Sequence, residues 1–204
     1  MPFSSDPEFN RFFPDDFALE TPRVIMRPLV KDDEHAFLPL VKSANIWKFF
    51  NKDLHTETEL TSWVDSAIAE RTEGKRMPFT IIDKSSKEIC GSSSYGSISF
   101  YDKRIEIGWS WLGEAFMGTG VNKQAKFALL SYAFEVMKME RVEVKTDNLN
   151  ERAKAALIKV GMKPEGILRS HTLMHSNRRR DTIYFSIIRE EWKERKEDFF
   201  PELL

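Results

Sequence analysis

The sequence predicts one mixed α/β domain, built on a mostly antiparallel central sheet with helices on both faces. Three observations carry this. Strand patterns dominate the first half of the chain, and strand and helix patterns alternate in the second. The 204 residues contain no internal repeat and no low-complexity linker, so nothing divides them into two domains. The hydrophobic fraction of 41% and the charged fraction of 31% suit a chain that buries a core of its own.

The elements follow in order. Residues 1–16 form an N-terminal arm whose phenylalanines, with Phe17 just after it, are expected to pack onto the domain. A strand over 19–29 is predicted by Val24, Met26 and Pro28 alternating with Arg23, Ile25 and Arg27, after a Thr21-Pro22 pair that disfavours helix. Two helices come next, over 31–42 (Ala36, Phe37, Leu40, Val41) and 58–70 (Leu60, Trp63, Val64, Ala67, Ile68). Three strands over 77–83, 88–100 and 104–112, joined by polar turns, read as an antiparallel meander. A helix over about 120–137, a strand over 141–146 and a helix over about 151–160 precede two strands near 168–175 and 182–188. The densely charged residues 189–204 read as a solvated terminal helix.

Composition excludes several function classes. With 31 basic and 32 acidic residues the net charge is -1, which gives no general attraction to nucleic acid or to an anionic membrane. No apolar run approaches the roughly 18 residues that a membrane span needs. The single cysteine, Cys90, has no disulfide partner, and the four histidines lack companions at ligand spacing, so no metal site is expected. The first 16 residues mix acids and prolines with phenylalanine and do not read as a secretory signal, so a cytoplasmic protein is expected.

The chemistry is concentrated between residues 105 and 126. There a strand, Ile105-Glu106-Ile107-Gly108-Trp109-Ser110-Trp111-Leu112, runs through a loop with Gly113, Gly118 and Gly120 into a helix. Glycines before a helix let the backbone approach a ligand closely and leave first-turn N–H groups free, which favours an anion. The dinucleotide fingerprint would need glycine at Lys123 and the P-loop would need lysine at Thr119, so neither fits. Lys123 and Lys126 stand where the helix dipole prefers acids; they either meet something negative or are simply solvated. In the stretch 147–161, Asn150 is placed as an N-cap and Gly161 as the left-handed residue after the helix.

Taken together, Glu106-Ile107-Gly108-Trp109, Gly118-Thr119-Gly120, the 150–161 helix, Glu165-Gly166-Ile167-Leu168-Arg169 and Arg180-Asp181 to Tyr184-Phe185-Ser186 resemble the GNAT acetyltransferases of the RimJ/RimL type over residues 19–192. The resemblance implies acetyl-CoA as co-substrate, lying where the 104–112 strand splays from the 141–146 strand. Backbone groups near Trp109, Trp111 and Leu112 would pair with the pantetheine arm. The family's pyrophosphate motif falls on Met117, Gly118, Thr119, Gly120, Val121 and Asn122, where only Gly120 matches strictly and Asn122 could supply a side-chain donor. Asn150 aligns with an asparagine beside the pantetheine arm, although a plain helix cap explains it equally.

The implied reaction is direct transfer of acetyl to a neutral amine. Glu106 is the candidate base, with burial expected to raise its pKa, and a buried ion pair is its other reading. By strand alternation Glu106, Gly108 and Ser110 share one face, so Ser110 could help orient a water. Where relatives carry a tyrosine or a serine this chain has Leu157 and Ala153, and no acid is assigned. His171 and His175 read as structural or exposed side chains, with a place facing the acceptor as their other reading, and Trp47, Phe49 and Phe50 could shape its cleft. The acceptor is expected to be a primary amine, either a small amine or amino acid or a peptide N-terminus, with a preference for the small amine; the protein is expected to be a monomer or a homodimer. The competing readings are a catalytically silent acyl-CoA-binding protein and an interaction protein on the same fold.

Overall fold

A computed structural model describes residues 3–204. Eight strands form one sheet in the order β1-β2-β3-β4-β5-β6-β8-β7: β1 Leu19–Glu20, β2 Val24–Pro28, β3 Arg76–Asp83, β4 Ile89–Ser99, β5 Arg104–Leu112, β6 Arg141–Asp147, β7 Lys163–Leu173 and β8 Arg179–Ile188. Neighbouring strands are antiparallel except β5 and β6, which are parallel and joined through helix α5 (Val121–Ser131). The remaining helices are α1 Pro7–Phe12, α2 Asp33–Phe37, α3 Ala44–Trp47, α4 Glu57–Thr72, α6 Glu151–Ile158 and α7 Arg189–Phe199. The mixed, mostly antiparallel sheet is the predicted one.

Two apolar clusters lie on opposite faces of the sheet. Phe79, Tyr95, Ile105 and Ile107 pack with Phe9 and Phe13 of the arm, Val121 and Leu129 of α5, Leu157 of α6 and Trp192 of α7. Trp111 packs with Phe37, Trp47, Leu60 and Trp63 on the other side. Helices therefore cover both faces, and the arm is part of the core, with Phe9 and Phe13 fully buried and the Tyr132 hydroxyl donating to the Phe12 carbonyl.

Several boundaries differ from those expected, each for a local reason. The single strand over 19–29 is a hairpin: Thr21 N–H donates to the Val24 carbonyl at 3.0 Å, Val24 N–H donates to Thr21 Oγ1 at 3.0 Å, and Pro22 occupies the corner. The helix over 31–42 shrinks to α2, because Pro39 cannot continue it. Helix α5 ends at Ser131 and passes into a π-helical turn, where Met137 N–H donates to the Tyr132 carbonyl at 3.0 Å. Strand β7 begins at Lys163, with Pro164 tolerated because β7 is an edge that pairs with β8 alone. Helices α1 and α3 were not expected; α1 does carry a start signal, Asp6 capping Glu8 N–H at 2.8 Å with Pro7 at the first helical position.

Candidate active site

Strands β5 and β6 pair at only three positions, Arg104↔Arg141, Ile105↔Val142 and Glu106↔Glu143. Beyond Glu106 they part. Strand β6 stays on β8 as far as Asp147↔Thr182, and β5 stays on β4 as far as Gly91↔Leu112. A cavity of about 500 Å³ fills the wedge between them. A bulge lies on β5 where the strands separate: Trp109 and Ser110 together face Ser93 alone, and Trp109 takes a left-handed φ of 50°.

The bulge reverses the expected alternation. Trp109 turns to the face of Glu106 and Gly108: its indole lies across Gly96, where an added Cβ would come within 2.3 Å of the ring, and under the Arg76 guanidinium at 4.5 Å. Ser110 instead sits 2.7 Å from Ser93 Oγ on the face that meets α5. Ser110 and Glu106 therefore lie on opposite faces, and the shared face expected from period-2 alternation does not exist.

Glu106 is 3% exposed and lines the wedge. Its Oε2 accepts from Lys145 Nζ at 2.8 Å and from Ser97 Oγ at 2.9 Å. This is the buried ion pair left open above. Both contacts fall on one oxygen; Oε1 lies over Gly108, 3.0 Å from where a Cβ would stand.

The sequence offers Lys126 as a charge at the helix start that meets something negative, or as a solvated side chain. It is neither: α5 carries it into the protein, 4% exposed, where Nζ donates to Ser110 Oγ at 2.9 Å beside the wedge. Among the described residues no carboxylate pairs with it, and burial pushes its pKa down to about 7. Lys123, by contrast, pairs on the surface with Glu202 at 2.6 Å.

Of the pyrophosphate candidates, Met117, Gly118 and Asn122 line the wedge together with Trp109, Trp111, Leu112 and Asn150. Thr119, Gly120 and Val121 do not: the Thr119 carbonyl accepts from Arg23, Gly120 precedes α5 with φ 95°, and Val121 is buried in the core. No side chain caps the first turn of α5, and nothing lies within 4 Å of a Cβ built on Gly118, so a ligand can approach this backbone. Asn150 does cap α6, accepting from Ala153 N–H at 3.1 Å, and also borders the wedge.

Lys126, Ser93, Lys145, Arg152 and Arg180 also line the wedge and were missed or given other roles. Their one signal was position, each falling on or beside an element that bounds the cleft. His171 lines it too, with Nδ1 3.1 Å from Thr182 Oγ1, whereas His175 Nε2 meets the Trp47 carbonyl at 3.2 Å and ties the β7–β8 turn to α3. Phe49 and Phe50 reach the wedge, while Trp47 and Phe50 line a neighbouring cavity of about 190 Å³.

The family model described as an acetyltransferase (GNAT) domain matches residues 23–163, from β2 through the wedge to the start of β7. The chain belongs to the GNAT family. GNAT proteins are N-acetyltransferases that use acetyl-CoA. Among relatives, the provisionally named ribosomal N-acetyltransferase YdaF of Bacillus subtilis is 30% identical over 108 residues, 53% of this chain and 58% of YdaF. A GCN5-related N-acetyltransferase from Brucella melitensis superposes with a TM-score of 0.83 at 25% identity, over 91% of this chain and 85% of that one. RimJ of Mycobacterium smegmatis, in complex with CoA-disulfide, gives a TM-score of 0.77 over 91% and 94% of the two chains; at 22% identity this likeness concerns the fold. Among the described residues no helix is long and apolar enough to cross a membrane.

Proposed function

We propose that this GNAT protein transfers acetyl from acetyl-CoA to the primary amine of a small molecule. The observation that carries the reading is the wedge itself. Two strands stop pairing after three residues, and the gap leads to an uncapped helix start with an open glycine before it. That combination suits an arm that needs backbone partners along one side and an anion-binding site at its end. In this reading the first-turn amides of α5 and Asn122 hold the pyrophosphate, and β5 from Trp109 to Leu112 pairs with the pantetheine.

Acetyl-CoA supplies the electrophilic thioester carbon. Backbone N–H groups at the Trp109–Trp111 bulge are the candidate oxyanion donors. Glu106, its charge compensated by Lys145, offers Oε1 to the incoming ammonium from the foot of the wedge. A small acceptor is supported by the enclosure on that side, where His175 is joined to the Trp47 carbonyl and Phe49 and Phe50 border the space. A protein amino terminus is the second reading, favoured by the ribosomal designation of YdaF.

The test is thiol release from acetyl-CoA across free amines, amino acids and N-terminal peptides. Saturation with a free amine or amino acid, with little response to salt, is expected. Saturation by peptides alone would move the acceptor to the second reading. No release with any amine, despite bound acetyl-CoA, would leave a silent binding protein.

A further inference from the structure

Lys126, the buried cation of the wedge, has no part in the reading above. Lys126 is itself buried on α5, whose other buried residues, Val121, Ala125, Ala128, Leu129 and Leu130, are all apolar, so methionine or leucine in its place would bury no amine. An uncompensated buried lysine beside a ligand cleft is costly, and such a cost is typical of functional sites. Its hydrogen bond to Ser110 Oγ, at 2.9 Å, joins a short polar chain: Ser110 Oγ is 2.7 Å from Ser93 Oγ and 3.3 Å from the Gly108 carbonyl. The bulge at Trp109 is what turns Ser110 toward α5 and completes that chain.

We propose that Lys126, acting through Ser110, is the proton carrier of the acetyl transfer. The inference rests on the acetyltransferase reading above. Unprotonated Nζ draws one proton from the acceptor's ammonium through the Ser110 hydroxyl and water in the wedge, which both Ser110 and Glu106 line. The freed lone pair forms the C–N bond, and the second amine proton passes to water. The C–S bond then breaks with the electron pair going to sulfur, and the protonated Nζ returns its proton to that thiolate. Amide, free thiol and one proton leave, and Lys126 ends as it began. Leu157 and Ala153 offer no hydroxyl at the wedge, so one group serving as base and then acid accounts for a site without a separate acid.

The charged neighbours are consistent with this role. On α5, Lys123 is paired with Glu202. The titratable groups of the other elements that line the wedge are Glu106 on β5, Lys145 on β6, Arg152 on α6, His171 on β7 and Arg180 on β8. Glu106 is occupied by Lys145, His171 and Arg180 both hydrogen-bond Thr182, and Arg152 meets Met117 Sδ. None of these contacts is with Lys126, and burial alone sets its titration near neutrality.

The test uses the full chain with acetyl-CoA and the acceptor found in the amine screen, beside the variants K126M and K126R. Methionine matches the length of lysine without its charge. Arginine keeps a donor but cannot give up its proton. Wild-type kcat/KM should rise with pH through about 7, apart from any limb due to the acceptor. Both variants should lose that limb and about 10²- to 10⁴-fold in kcat, while calorimetric CoA affinity stays within about three-fold.

A readout independent of turnover is the ε-13C signal of Lys126 in the CoA complex, assigned by its loss in K126M. A midpoint near 7 supports the proposal, and one above about 9 overturns it. Recovery of activity in K126R, or an unchanged acid limb in K126M, would reduce Lys126 to a brace for the bulge while acetyl transfer stands. A wild-type protein inert toward every amine would remove the transfer reading and the carrier with it.

Discussion

Lys126 is also a statement about stability. The unfolded chain keeps that proton up to the ordinary lysine value of 10.5, while the folded chain releases it near 7. Between those values the unfolded state binds more protons, so this group makes stability rise with pH; below about 7 its burial cost is present in full. K126M removes the cost, and urea unfolding should find it more stable than the wild type by on the order of 5 kcal/mol at pH 6, the gap closing toward pH 10.5. Glu106 makes a contrasting case. Glu106→Gln keeps the shape and leaves Lys145 without its partner, so acceptor kcat/KM should fall by about ten-fold or more while acetyl-CoA affinity and the neutral-pH limb persist. Loss of that limb in the glutamine variant would return the base role to Glu106. Glu106 was legible because a lone acid in an apolar strand is conspicuous. Lys126 was not, because a lysine one position beyond Ala125 looks like the edge of a solvated face, and only the width of the buried stripe on α5 brings it inside.

At the scale of elements, the start of α5 carries the sharpest prediction. Gly118 holds φ at 75°, where an L side chain is strained by about 1–2 kcal/mol, and Gly118→Glu adds an anion on the open side from which a ligand reaches the amides that would bind phosphate. Calorimetry should find acetyl-CoA binding abolished in that variant, and unchanged affinity would remove the pyrophosphate from this loop. The two central helices and the meander were readable because their periods are regular and their ends carry caps and turns, as with Asn150 on α6. The bulge in β5 was not. Ile105, Ile107, Trp109 and Trp111 alternate without a break in sequence, and no glycine marks position 109, so the reversal of faces comes from pairing with β4. Helix α2 is the opposite case, since Pro39 stands in the sequence and ends it two residues earlier.

For the whole molecule, the arm and the sheet decide most. Phe9 and Phe13 are fully buried and Phe17 packs edge-on against Tyr132 at 4.9 Å. Phe13→Ala should cost about 3–5 kcal/mol, read as a fall in Tm, and removal of residues 1–16 should leave a chain that unfolds far more readily. A deletion that left Tm unchanged would make the arm a loose appendage. The packing was foreseeable from the phenylalanines, whereas helix α1 within the arm is too short for a period to show. The sheet has a further consequence. Strands β1 to β5 and strands β6 to β8 are two half-sheets sharing a seam of three residue pairs, with α5 passing from one to the other. If pantetheine occupies the gap, it acts as a keystone, supplying along β5 the rungs that β6 does not. Bound at a hundred times its Kd, it should add about 2.7 kcal/mol and raise Tm by several degrees. Amide exchange should slow most on either side of the seam, along 107–112 and 144–147, so that the protein becomes mechanically one sheet only while it is loaded.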